Sequence, residues 1–198
     1  MNGAEMPSPL VLPTPAVPPV ARELLPSSLA ASSERALATR GDDTFVRVMA
    51  HTPELMQWYG DFYARVFHGG RVPARFKELL RLRLSTLHGC AFCNRGNRLD
   101  AAAAGLSVEQ LRAIEDPEAP CWSAAERAVL ELAARMALTC QEGHLDTALH
   151  AALRVHFDEP QIVELGLTMA VLTGMAKFLF VYDLVEREPY CEFGAPRE

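Results

Sequence analysis

Apolar residues recur at three- and four-residue spacing through most of this chain, and that spacing constrains the fold more than any other feature. The pattern becomes helical from about Ser33 and stays so. In the window Arg75 to Leu87, for example, Phe76, Leu79, Leu80, Leu84 and Leu87 line one stripe. Period-two alternation is nearly confined to Leu80–Leu84, where helical spacing accounts for the longer window better. The expected fold class is therefore all-α, a compact multi-helix bundle. With 198 residues, 49% of them hydrophobic, one domain with a substantial core is expected.

Three segments are expected. Residues 1–27 hold seven prolines, which remove N–H donors and fix φ, so this stretch reads as an extended arm. Its apolar residues Leu10, Val11, Leu12, Val17 and Val20 suggest that it lies on a neighbouring subunit; a disordered tail is the alternative. Residues 28–188 form the helical domain, and 189–198 a polar tail. Within the domain, Thr52-Pro53-Glu54 opens a helix running to about Phe67, with an aromatic-rich face that either packs in the core or walls an apolar pocket. Arg75–Leu87 is the next helix, with Glu78 close to its buried stripe. His88-Gly89 breaks it, and Cys90 begins another that ends at Gly105. Ser107 with Gln110, and Ser123 with Glu126, are capping boxes, the second starting a helix to about Thr139. A helix over 146–156 follows, and Asp158 with Pro160 opens the last one. There Gly166, Ala170 and Gly174 fall four apart, a stripe that lets another backbone come close.

Composition excludes several classes. The net charge is −6 and no Lys/Arg run occurs, which argues against a nucleic-acid partner. Ile162–Val181 is apolar enough to raise the question of a membrane, but Glu164 and Lys177 inside it are costly in lipid, so a core or subunit-interface helix is expected. No signal peptide is expected, since prolines interrupt the apolar N-terminal residues and a basic n-region is lacking. Five cysteines, an odd number in a chain of this size, point to a reducing cytoplasm rather than a disulfide framework.

Cys90 and Cys93 form a Cys-x-x-Cys pair on one helix face. A helix starting at Cys90 aims its positive end at that sulfur and favours thiolate, and Arg95 and Arg98 add positive potential nearby. Glu78 would accept the thiol proton. A redox-active dithiol is the main reading. An inert buried pair is a second. Zinc is a third, but His144, His150 and His156 lack ligand spacing and there is no second Cys-x-x-Cys; neither metal nor cofactor is expected. Cys121, Cys140 and Cys191 are expected to carry no chemistry.

The spacing Glu78-x11-Cys90-x2-Cys93, with Ala104-Gly105 closing the helix, resembles the carboxymuconolactone decarboxylase superfamily and within it the alkylhydroperoxidase D-like branch. The similarity runs from about His51 to about Asp183. The resemblance implies an all-α homo-oligomer, trimeric or hexameric, that reduces hydroperoxides without a bound cofactor and is recharged by an external dithiol reductant. It implies that Cys93 attacks peroxide, Cys90 resolves, and Glu78 heads a proton relay. The helix dipole alone would favour Cys90 as the attacking thiol. Two positions depart from the pattern: Asn97 stands where the relay histidine is expected, and Phe92 where a histidine often lies between the cysteines. Asn97 carries no proton at neutral pH, and His88 is the candidate to replace part of the relay, or else a cap or solvent-facing residue. Two rivals remain. One is a decarboxylase-like enzyme acting on a small organic acid or biosynthetic intermediate with Glu78 or His88 as base. The other is a non-enzymatic, redox-responsive oligomer.

Overall fold

A computed structural model describes residues 13–193. Among these residues the chain is all-helical, with no strand. A 3-10 turn at Arg22–Leu24 precedes α1 (Ser27–Arg40) and α2 (Thr44–Met49). Then come α3 (Pro53–Phe62), which runs into a π turn at Tyr63–Phe67, and α4 (Ala74–His88). The order continues with α5 (Ala91–Ala103), α6 (Val108–Arg112), α7 (Ala124–Met136), α8 (Thr147–Arg154) and α9 (Glu159–Val181).

The bundle is built around α4, which packs on α5, α7 and α9. Every residue from Lys77 to Thr86 is buried, so α4 has no solvent face over that span. Leu79, Leu80 and Leu82 lose all their exposure, and Leu84 nearly all. A helix enclosed on all sides must pair the charges it carries. Lys77 donates to the carbonyls of Val66 and Gly69, the latter at 2.6 Å, and pairs with Glu164 of α9 at 2.7 Å. Arg83 donates to the Ile114 carbonyl at 2.7 Å. Glu78 and Arg81 pair with each other. The sequence pattern placed Glu78 beside a buried stripe; in the fold it belongs to a helix buried all round.

Both expected capping boxes form, at Ser107/Gln110 and at Ser123/Glu126, and Asp158 forms a third with Gln161. Arg75 joins the second box to the bundle through Glu126 at 2.7 Å. Helix α7 ends at Met136, three residues before Thr139, because Ala137 turns extended and the Leu138 N–H bonds to His88 instead of to its own helix. Helix α1 begins at Ser27, earlier than the pattern from Ser33 indicated. It buries only Leu29, Ser33 and Ala36, too few and too small to register as a stripe.

The described part of the arm packs on its own chain. Ala16 donates to the Tyr182 carbonyl at 2.9 Å, Val20 to that of Arg47 at 3.1 Å, and Arg22 pairs with Asp43 at 2.8 Å. Val17 and Val20 pack against buried clusters of the bundle. Leu10, Val11 and Leu12 lie outside the described residues.

Helix α9 is long and apolar enough to cross a membrane by length and composition, but it packs on α4 and α7 and its Glu164 is tied to Lys77. Its small-residue stripe faces outward: Ala170 and Gly174 are exposed, and a Cβ built on Gly166 or Gly174 meets nothing within 4 Å. Among the described residues, the stripe has no backbone packed against it.

Candidate active site

The site starts from the way α4 stops. Gly89 takes a left-handed conformation, φ 67°, and the Cys90 N–H bonds back to the Ser85 carbonyl at 3.0 Å. One residue later α5 begins, with Cys90 as its N-cap, and the Cys90 sulfur accepts the Cys93 N–H at 3.2 Å. The two cysteines are joined as a disulfide, with Cα atoms 5.2 Å apart. Cys90 is fully buried, whereas Cys93 is only half-buried. The dipole favours Cys90, and access favours Cys93.

The C-terminal strap closes over this turn. Glu188 donates its N–H to the Gly89 carbonyl at 2.8 Å, and Asn94 donates to the Glu188 carboxylate at 3.0 Å. The Cys191 thiol donates to the His88 carbonyl at 3.1 Å. Cys191, expected to sit idle in a tail, is thus packed on the turn that carries the disulfide.

A cavity of about 730 Å³ opens beside the pair. Glu78, His88, Cys90, Cys93 and Asn97 all line it, so the five residues selected from the sequence share one space. Their environments differ. Glu78 is 6% exposed and paired with Arg81; burial raises its pKa above the ordinary carboxylate value, against the opposing pull of Arg81. Asn97 is buried and donates its amide to the Ser85 hydroxyl at 3.0 Å, bridging α5 to α4.

His88 does not face solvent. It is 2% exposed, and burial depresses its pKa to about 4, so the ring is neutral at pH 7. Its Nε2 accepts the Leu138 N–H at 3.0 Å. That bond uses the ring lone pair to fasten the end of α7 onto α4.

The cations of the site are not those expected. Arg95 is held by Glu186 and the Arg40 carbonyl, and Arg98 by the Leu111 carbonyl. Arg81 and Arg40 line the cavity instead. Arg81 pairs with Glu78 and, at 2.7 Å, with Asp100, and its guanidinium lies 4.8 Å from the Phe67 ring centre. Arg81 sits one helical turn after Glu78, a spacing visible in the sequence. Arg40 arrives from α1, and no local pattern announces it. On the opposite wall Met56, Tyr59 and Tyr63 come from the aromatic-rich face of α3 and the π turn. Part of that face thus walls the pocket, while Leu55 and Trp58, 52% and 58% exposed, face away from it and Phe67 is buried. The Tyr59 hydroxyl is 3.4 Å from that of Tyr63, and the loss of water around it raises its pKa well above the ordinary phenol value.

Residues 53–135 match the Carboxymuconolactone decarboxylase family. The uncharacterized protein YdfG of Bacillus subtilis (strain 168) is 33% identical over 92 residues, 46% of this chain and 62% of YdfG. The chain thus matches less than two thirds of that relative's length. Among solved structures, the alkylhydroperoxidase AhpD core of a peroxidase-related protein from Ralstonia eutropha JMP134 superposes with a TM-score of 0.70 at 14% identity, over 90% of this chain and 95% of that one. The protein of unknown function ATU0492 from Agrobacterium tumefaciens gives 0.62 at 22%, over 71% and 94%. The debrominase Bmp8 in complex with 2,3,4-tribromopyrrole gives 0.69 at 18%, over 86% and 90%. At these identities the likeness is one of fold.

Proposed function

We propose, for a chain whose residues 53–135 match the carboxymuconolactone decarboxylase family, that Cys90 and Cys93 form a redox-active dithiol that reduces hydroperoxides. The observation that carries this reading is the disulfide set in the wall of a cavity that also holds a buried carboxyl with a raised pKa. The more exposed Cys93 takes the attacking role. Its thiolate attacks the terminal peroxide oxygen; the S–O bond forms as the O–O bond breaks, giving a Cys93 sulfenic acid and releasing an alkoxide. The alkoxide leaves as the alcohol after taking a proton. Glu78 in its protonated form is suited to supply that proton, because burial holds its carboxyl above the usual range. The Cys90 thiol then condenses with the sulfenic acid to form the disulfide and release water. An external dithiol reduces the pair and is itself oxidised to a disulfide. In a reducing compartment such as the cytoplasm this cycle would start from the dithiol.

The N–H of Cys93 at the Cys90 sulfur stabilises negative charge there, which helps Cys90 act as resolving or leaving thiol. Asn97 cannot relay a proton, so it serves as a strut holding α5 against Ser85. The exposed stripe of α9, with Val163 and Leu167 beside it, is the surface a second copy of the chain would cover in a homo-oligomer.

Turnover of an organic hydroperoxide with a dithiol reductant tests the reading. Wild type should consume peroxide, and Cys93→Ser should fall to the uncatalysed rate; equal rates in the two would sink the proposal. A second reading, proton transfer on an organic acid with Glu78 as base, draws on the same raised carboxyl. Activity that survives in Cys90→Ser/Cys93→Ser and is lost in Glu78→Gln would select it.

A further inference from the structure

We propose that Arg40 determines specificity in this cavity by reading an anionic oxygen group, a carboxylate above all, on a substrate whose remaining body is apolar. The inference rests on the cavity being the substrate site. Arg40 is the last residue of α1, and its side chain lies across α5 over a stripe made by Phe92, Gly96 and Asp100, four residues apart. The guanidinium carbon is 5.5 Å from the Phe92 ring centre. A Cβ built on Gly96 would fall 2.6 Å from both Nε and Nη2 of Arg40. Glycine inside a helix is destabilising relative to alanine. Here the space it leaves is filled by a cation one turn beyond Cys93 on the same helix.

Arg40 also has donors to spare. Arg81 is committed to two carboxylates, Glu78 and Asp100. Arg40 approaches Asp100 only to 4.0 Å, beyond hydrogen-bond reach, and donates to the hydroxyl of its own neighbour Thr39 at 3.2 Å. Five N–H groups are available on a guanidinium, and their fork matches a carboxylate. Burial and the like charge of Arg81 lower the pKa of Arg40, a destabilisation of the cation that an incoming anion relieves. Asp100 is 48% exposed, so water screens its claim on Arg40. Beside these polar groups, the cavity that Arg40 lines presents apolar side chains, among them Phe45, Met56, Leu172, Met175 and Leu179. An under-partnered cation held over α5, next to such apolar side chains, selects an amphipathic anion over its neutral counterpart.

Decanoate and decanol are matched probes, and their binding to the resting disulfide form can be measured by titration calorimetry at low salt. Wild type should bind decanoate roughly tenfold more tightly than decanol, the scale of a charge-assisted hydrogen bond. In Arg40→Met the preference should vanish. In Gly96→Ala the added methyl group displaces the guanidinium, so the preference should vanish there too, while the helix gains an alanine and melts no lower than wild type. The backbone anchor of α1, the Arg40 carbonyl bonded to Arg95, is untouched by either change. A decanoate preference that persists in both variants, or a wild type that binds the two probes equally or binds neither, overturns the assignment. No turnover is involved, so failure of peroxide reduction would leave the result standing.

Discussion

Acidification should destabilise this protein through His88 before most carboxylates protonate. The imidazole is buried and neutral, with its pKa depressed to about 4 from 6.5. The unfolded chain therefore binds a proton at higher pH than the folded one does. The native state loses stability as pH falls from 6.5 towards 4, and the loss levels off below that. For one such group the linkage relation gives about 2 kcal/mol near pH 5 and about 3 kcal/mol near pH 4, relative to pH 7. Glu78 works in the opposite direction: its raised pKa makes the folded state bind a proton first, so acid relieves a strain there. Asp43, Glu126 and Glu164 have lowered pKa values, and their contributions are lost at the acid end of the range. A comparison isolates the His88 share. In His88→Gln an amide oxygen can accept the Leu138 N–H in place of Nε2, without titrating. Urea denaturation of both proteins, with the disulfide intact, should show wild type losing about 2 kcal/mol more than the variant between pH 7 and pH 5. Parallel pH profiles, or a His88 that titrates near 6.5 by NMR, would refute the reasoning.

Three other perturbations follow from the geometry. Gly89→Ala should cost about 1–2 kcal/mol from the left-handed backbone alone, and more because its Cβ would lie 2.7 Å from that of Cys191; thermal melting checks this. Lys77→Met leaves Glu164 without its cation and frees the Val66 and Gly69 carbonyls, so denaturation should register a loss of roughly 3 kcal/mol. Glu78→Gln should lower the peroxide-reduction rate by roughly a hundredfold and flatten its pH dependence, while alkylation of the reduced thiols stays nearly as fast.

Much of the fold was legible because helix signals are local. The Ser107 and Ser123 capping boxes and the Gly89 stop needed no tertiary information. The start of α1 was obscured because its buried residues are a leucine, a serine and an alanine. The end of α7 depends on His88, which lies 50 positions away in sequence. At the site, Glu78, Cys90 and Cys93 were legible by spacing, and all three line the one cavity. Arg40 and Asp100 were not, because one comes from a separate helix and the other carries no motif. Arg95 and Arg98 misled for the converse reason: nearness in sequence to a helix N-terminus does not fix where a long side chain goes, and both are held by partners elsewhere.

Oxidation of the Cys90–Cys93 pair by peroxide can be read in a single turnover. One equivalent of organic hydroperoxide is added to the reduced protein, and the products are read by peptide mass after alkylation of free thiols. Two hydrogens should be lost, only from the peptide carrying Cys90 and Cys93, with Cys121, Cys140 and Cys191 still alkylated. In Cys90→Ser a sulfenic acid should form at Cys93. A pair that stays fully alkylated while peroxide persists would contradict the proposed chemistry, as would a sulfenic acid that forms first at Cys191.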